Sequence, residues 1–195
     1  MNDLIINGKS KVSGGTFGEV RMDGISSVEG DLVCDTMELN GTCRFKGNVR
    51  ISGRAEIDGV CKVSGDMDTE DLDLDGCLTV AGGLTAENAR LNGALTVNGT
   101  FNVGTLDMKF HGSSKVKEVV GGRIRIYHGK STRYFRAELI EGDDIDIERS
   151  KIKVVIGDNV TIGAGCTVER VEYSGGLEIH PKASVKEKIK ADQGK

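Results

Sequence analysis

Apolar residues recur in this chain on a beat of two within short stretches and on a beat of 17 or 18 between them. Take Gly24, Gly41, Gly59, Gly76 and Gly93 as position zero. Position +4 then holds Val28, Phe45, Val63, Val80 and Val97, and position +8 holds Leu32, Val49, Met67, Leu84 and Phe101. Position −2 is Met22, Leu39, Ile57, Leu74 and Leu91, and position +2 is Ser26, Cys43, Cys61, Leu78 and Leu95. Even offsets therefore point to one side of the backbone and odd offsets to the other, as a strand period requires. The parity breaks once per repeat, at Cys34 to Met37, Thr69 to Leu72, Ala86 to Ala89 and Val103 to Leu106, where the inward step becomes three residues and predicts a corner. A second glycine ladder, Gly30, Gly47, Gly65, Gly82 and Gly99, follows the first in phase.

A fixed period of this length is the signature of a solenoid, in which one coil can bury its apolar side only by stacking on its neighbours. Asp23, Asn40, Asp58, Asp75 and Asn92 precede the first ladder and suit a second corner, because their side chains bond turn backbone and tolerate left-handed geometry. Pro181 is the one proline, and no helical period is found before the last dozen residues. The class predicted is all-β, a parallel β-helix solenoid with coils about 4.8 Å apart, in one continuous body. Residues 1–112 read as regular coils and residues 113–181 as further, less regular coils of that body. Residues 182–195 read as a basic tail or short helix.

Composition narrows the function. The net charge of −4 favours neither nucleic acid nor an anionic membrane as an obligatory partner. With no Trp, three Tyr and five Phe, the chain is poor in stacking platforms for sugars or bases. No signal segment opens it and no apolar run reaches membrane-spanning length, so a cytoplasmic location is expected. The five cysteines show no CxxC or Cys/His metal spacing and read as buried structural thiols, with Cys43 and Cys61 stacked in successive coils. No cofactor, metal or small-molecule substrate is called for.

Three segments carry candidate chemistry. The six acids between Asp66 and Asp75 could hold a divalent cation, but their alternation with Met67, Leu72 and Leu74 reads as a solvated face, with Arg50 placed to pair with Asp68 one coil away. Arg123, Arg125, Lys130, Arg133 and Arg136, interleaved with Tyr127 and Tyr134, form the segment most suited to an anionic partner, in competition with its reading as the outward half of a surface strand. The run Ile156 to Val168 is similar to the hexapeptide repeats of β-helix acyltransferases. Those enzymes use a His base, and His111, His128 and His180 have no acidic orienter at a recognisable spacing.

The runs Val28-Glu29-Gly30-Asp31-Leu32, Phe45-Lys46-Gly47-Asn48-Val49, Val63-Ser64-Gly65-Asp66-Met67 and Val80-Ala81-Gly82-Gly83-Leu84 resemble the repeats of the bactofilins, polymer-forming cytoskeletal proteins. The resemblance covers roughly residues 5 to 126, and the segment from Ala137 to Tyr173 is similar to the longer Gram-positive members. It implies a bacterial right-handed β-helix that polymerises without nucleotide as a scaffold in cell shape, polar organisation or motility. The partners implied are the chain itself, a related bactofilin, and proteins of the cell envelope or the inner face of the membrane. The chain departs from better-known members in lacking Pro-rich flanks and in its long second block.

Assembly is also expected on physical grounds, because the ends of a β-helix expose unpaired strand edges and apolar interior. Leu4, Ile5, Ile6 and Phe17 are the candidate contacts at one end. Val168, Val171 and Tyr173 are those at the other, ahead of a basic tail that could act as a cap. The expected function is a non-enzymatic, self-assembling scaffold. A hexapeptide-type acyltransferase and a monomeric β-helical binding module are the alternatives.

Overall fold

A computed structural model describes residues 2–129 and 132–191. Every element is extended: β1 (Leu4–Phe45), β2 (Val49–Ile51), β3 (Arg54–Val63), β4 (Met67–Val80), β5 (Leu84–Phe110), β6 (Ser114–His128), β7 (Phe135–Ile147), β8 (Ser150–Ile162), β9 (Thr167–Tyr173), β10 (Leu177–Ile179) and β11 (Ser184–Lys190). All pairings are parallel, each element bonding to the one a coil away, and the result is a β-solenoid of about nine turns. Extended backbone continues around many corners, which is why β1 runs for 42 residues, through the Gly14 to Phe17 segment as well.

The predicted columns stack as read. Phe45, Val63, Val80, Val97 and Val116 stand in register, as do Leu32, Val49, Met67 and Leu84. Both columns are buried, and Phe45, Phe101, Phe110 and Phe135 are the largest side chains sealed inside. The only buried polar residues among those described are Ser26, Thr69, Ser114 and Ser150, so no charge enters the core. Cys34, Cys43, Cys61 and Cys166 are buried and free, with Cys43 in register with Cys61. Cys77 is exposed, which corrects the reading of all five as buried: it stands one residue after the ladder Gly76, at an outward position. Burial pushes the Cys43 thiol up to about 12 and that of Cys166 up to about 11, which keeps both as inert thiols.

The first glycine ladder has a steric cause. Gly24, Gly41, Gly59, Gly76 and Gly93 all have positive φ, and a Cβ on any of them would lie closer than 3.0 Å to the carbonyl of the glycine one coil back. The ladder begins earlier than its regular spacing indicated, at Gly8, whose φ is also positive (92°) and onto which Gly24 stacks. The second ladder is set by hydrogen bonds. Asp31 Oδ1 accepts from Asn48 N at 2.7 Å, Asn48 Oδ1 from Asp66 N at 2.9 Å, and Asp66 Oδ1 from Gly83 N at 2.7 Å. The G-D/N pairs are thus a ladder of side-chain acceptors that satisfy turn N–H groups between coils.

Beyond Phe110 the coil length varies. A bulge between Val97 and Thr100 absorbs one residue, Ser114 then pairs with Phe135, 21 residues on, and Phe135 with Ser150, only 15 on. The end of the chain differs from expectation. Ser184–Lys190 is β11, a strand paired with β9, where a loose tail or short helix was expected. Stacking on an existing edge satisfies its backbone, which an isolated short helix would not achieve.

Candidate functional site

With an uninterrupted core, the surfaces on which a partner can act are the two ends and the outward columns. At the first end, Ile6 is buried, Leu4, Val12 and Phe17 are half-buried against the core, and Ile5 points outward at 63% exposure. The Cβ direction of Gly8 meets no described atom within 4 Å, whereas the later members of its ladder meet the preceding coil. No described residue covers this edge.

The far end corrects the sequence reading. Val168 and Val171 are fully buried and do not form a terminal surface. They are covered by β11, which sets Val185 over Val168, Lys188 over Val171 and Lys190 beside Tyr173. The terminal surface is instead built from Leu177, Ile179, Ala183 and Val185, which pack partly exposed against the core, and from the lysines of β11.

The structure divides the basic and aromatic segment between two legs of the coil. Arg123 lies 3.8 Å from Asp144, and Arg125 lies between Asp107 (3.9 Å) and Asp146 (4.0 Å), its guanidinium 5.1 Å from the Tyr127 ring. Tyr127 donates its hydroxyl to Asp107 at 3.0 Å, and burial first, then that bond, raises its pKa. These cations are therefore already opposed by acids. Arg136 belongs elsewhere, in register with Lys115 and Lys151, and the Tyr134 ring holds the Lys151 ammonium at 4.4 Å. Arg133 has an interaction of its own, and Lys130 lies outside the described residues.

Arg136 leads to a feature that the linear sequence concealed. Arg44, Lys62, Thr79, Thr96, Lys115, Arg136, Lys151, Thr167 and Ser184 form one outward column in continuous register, with bases and hydroxyls and no acid. At about 4.8 Å per coil the column runs about 38 Å. The neighbouring acids Glu29, Glu138 and Glu169 are each held by a lysine, at 2.7 Å for Lys46, 3.0 Å for Lys153 and 3.9 Å for Lys186. Only the pairing register could reveal this column, since its members lie 15 to 21 residues apart at uneven intervals.

The acid run of residues 66–75 is cross-linked between coils. Asp68 stands in register with Arg50 at 3.6 Å, Asp73 lies 3.3 Å from Arg54, and Asp71 and Asp75 accept from Asn88 and Asn92. Among the described residues no cluster of His, Cys, Asp or Glu has the arrangement of a metal site. One histidine does gain an acid. His128 Nδ1 lies 3.1 Å from Glu148 Oε2, a pair 20 residues apart in sequence that the spacing did not indicate. Five shallow grooves of about 320 to 630 Å³ are lined without any histidine.

No family model matches the chain, and no solved structure matches it. It is 33% identical to the uncharacterized protein YhbE of Bacillus subtilis over 230 aligned residues, covering 96% of this chain and 97% of that protein. It is also 32% identical to the uncharacterized protein YhbF of the same organism over 98 residues, 47% of this chain and 42% of that one. Near-complete coverage of both partners at that identity means that the chain belongs to the family of YhbE.

Proposed function

We propose that this protein is a non-enzymatic, nucleotide-independent scaffold of the bactofilin type, which assembles with itself or with a related copy through an uncovered end of its solenoid. The observation that carries this reading is the first coil, with half-buried Leu4 and Val12 and a strand edge that no described residue covers. An exposed β edge over an apolar interior is stabilised by pairing with another. The scaffold works in the bacterial cytoplasm, peripheral to the inner face of the membrane, in cell shape, polar organisation or motility. The column of Arg44, Lys62, Lys115, Arg136 and Lys151 supports an anionic surface or an acidic envelope protein as its neighbour, because a charged lipid surface attracts each basic residue by about 1 kcal/mol. Electron microscopy and sedimentation of purified protein without nucleotide test the reading. Protein-only assemblies are expected; a wild-type chain that stays monomeric across salt and concentration refutes self-assembly, and one that also fails to join a related copy is a monomeric binding module.

The His128–Glu148 pair supports a second reading as an acyltransferase, since a carboxylate can orient an imidazole as general base. Acyl transfer from an acyl thioester to an amine or hydroxyl acceptor that is lost in His128→Gln would establish it.

A further inference from the structure

The two ends of the solenoid differ in what they place on the inward columns. One such column runs Phe101, Val119, Ile140, Val155 and Val171, all five fully buried and in register, and the next residue in register is Lys188. Val168 and Val171 flank a corner with Glu169 and Arg170 outward, and β11 repeats that corner with Val185 and Lys188. Alternation is inverted in the last leg: Lys188 follows the inward column while Ile189 takes the outward position beside Glu172, at 38% exposure. Lys188 is itself exposed at this edge, and no buried side chain of the described coils is charged. At the opposite end the even offsets from Gly8 are Leu4, Ile6, Ser10 and Val12, with no charge among them.

We propose that Lys188 closes the far end to a second copy, so that chains join only through their first coils and form pairs. This rests on the self-assembly reading above. As β11 stands, Lys188 is exposed to water. A coil stacked on β11 would desolvate it against an apolar interior without an acid to receive it, and an unpaired buried charge strongly opposes such a contact. Inward-pointing charge is a general means of guarding a β edge, and polar terminal coils limit solenoid stacking. The same charge refuses the first coil of another copy, since Leu4 and Ile6 offer no counter-charge. First coil to first coil is the contact that remains, and its edge carries both signs in Asp3, Lys9 and Lys11, so an identical copy is not repelled.

Sedimentation velocity on the full chain tests this, with circular dichroism of each variant as the control for folding. Wild type is expected at twice the monomer mass, Leu4→Lys at the monomer mass, and Lys188→Met at many times the dimer mass, because the substitution keeps the length of the side chain and removes its charge. Lys186→Met, on the outward side of the same strand, is expected to leave the pair unchanged. Should Lys188→Met fail to fold, Lys188→Gln gives the same comparison with a neutral polar group. Long wild-type polymers, or a Lys188→Met protein that remains a pair, overturn the guard while leaving self-assembly intact. A wild type that is monomeric at every concentration overturns self-assembly itself, and the guard with it.

Discussion

Gly76→Ala and Gly8→Ala place the same methyl group on two members of one ladder, and they should differ greatly in cost. Both glycines have positive φ, 144° and 92°. Forcing an L side chain into that region costs about 1–2 kcal/mol at either site. At Gly76 the new Cβ would also press on the Gly59 carbonyl and backbone closer than 3.0 Å, and it is backbone in the middle of a stacked sheet that would have to move. Overpacking a tight interior adds about 1–3 kcal/mol, so the total for Gly76 is about 2–5 kcal/mol. At Gly8 nothing lies within 4 Å of the added atom, and only the conformational part remains. For a domain of this length each kcal/mol lowers Tm by about 2–4 °C, which puts the two variants about 2–12 °C apart, with Gly76→Ala the lower. Thermal melting followed by far-ultraviolet circular dichroism reads the difference. Equal losses in the two variants would refute the argument, since the ladder would then reflect φ alone and not the closeness of the coils. A Gly76→Ala protein that melts with wild type would remove both terms.

Replacing Asp66 tests the acceptor ladder: Asp66→Asn keeps an oxygen for the Gly83 N–H, as Asn48 does naturally, and should be near neutral, whereas Asp66→Ala should cost about 1–2 kcal/mol in urea titration. Ellman titration of the native protein should find one reactive thiol, Cys77, because the other four are buried, and all five should react once the chain is unfolded. Glu38, hydrogen-bonded to Arg21, Glu29, bonded to Lys46, and Glu138, bonded to Lys153, all have pKa values held below the ordinary 4.5. Their contribution is therefore complete above pH 4.5 and is lost as the pH falls through the lowered values, so Tm should drop below about pH 4 and drop less in Glu38→Gln. Phe101→Ala, which empties the middle of the Val119 column, should cost about 3–5 kcal/mol, and an unchanged melting curve would contradict the column.

The fold was legible because a solenoid writes its core as a period. Val63 and Val80 occupy equivalent places in successive coils, and the Gly76 ladder announces a corner before any coordinate is known. The ends were less legible. Val168 and Val171 looked terminal because the residues after Pro181 lack a clear apolar alternation, and such a stretch holds its strand conformation through the β9 edge that it meets. Local propensity says little about a strand whose partner supplies half of its hydrogen bonds. Arg123 and Arg136 looked like one patch because they are close in sequence, but the path around the coil turns them to different legs, with different charges opposite.

The pattern of residues alone carried the class of fold, the inward and outward faces of the first coils, the burial of four of the five thiols and the period of the glycine ladders. These follow from side-chain size and backbone freedom, which each residue carries with it. The tertiary structure decided everything that depends on which residues stand one coil apart: the acid-free column from Arg44 to Ser184, the pairing of His128 with Glu148, and the position of Lys188 over Val171. Coil lengths after Phe110 run from 15 to 21 residues, so neighbours across coils cannot be counted off along the chain. Charge interactions at a surface are screened beyond about 8–10 Å at physiological salt, and the register sets which charges come that close.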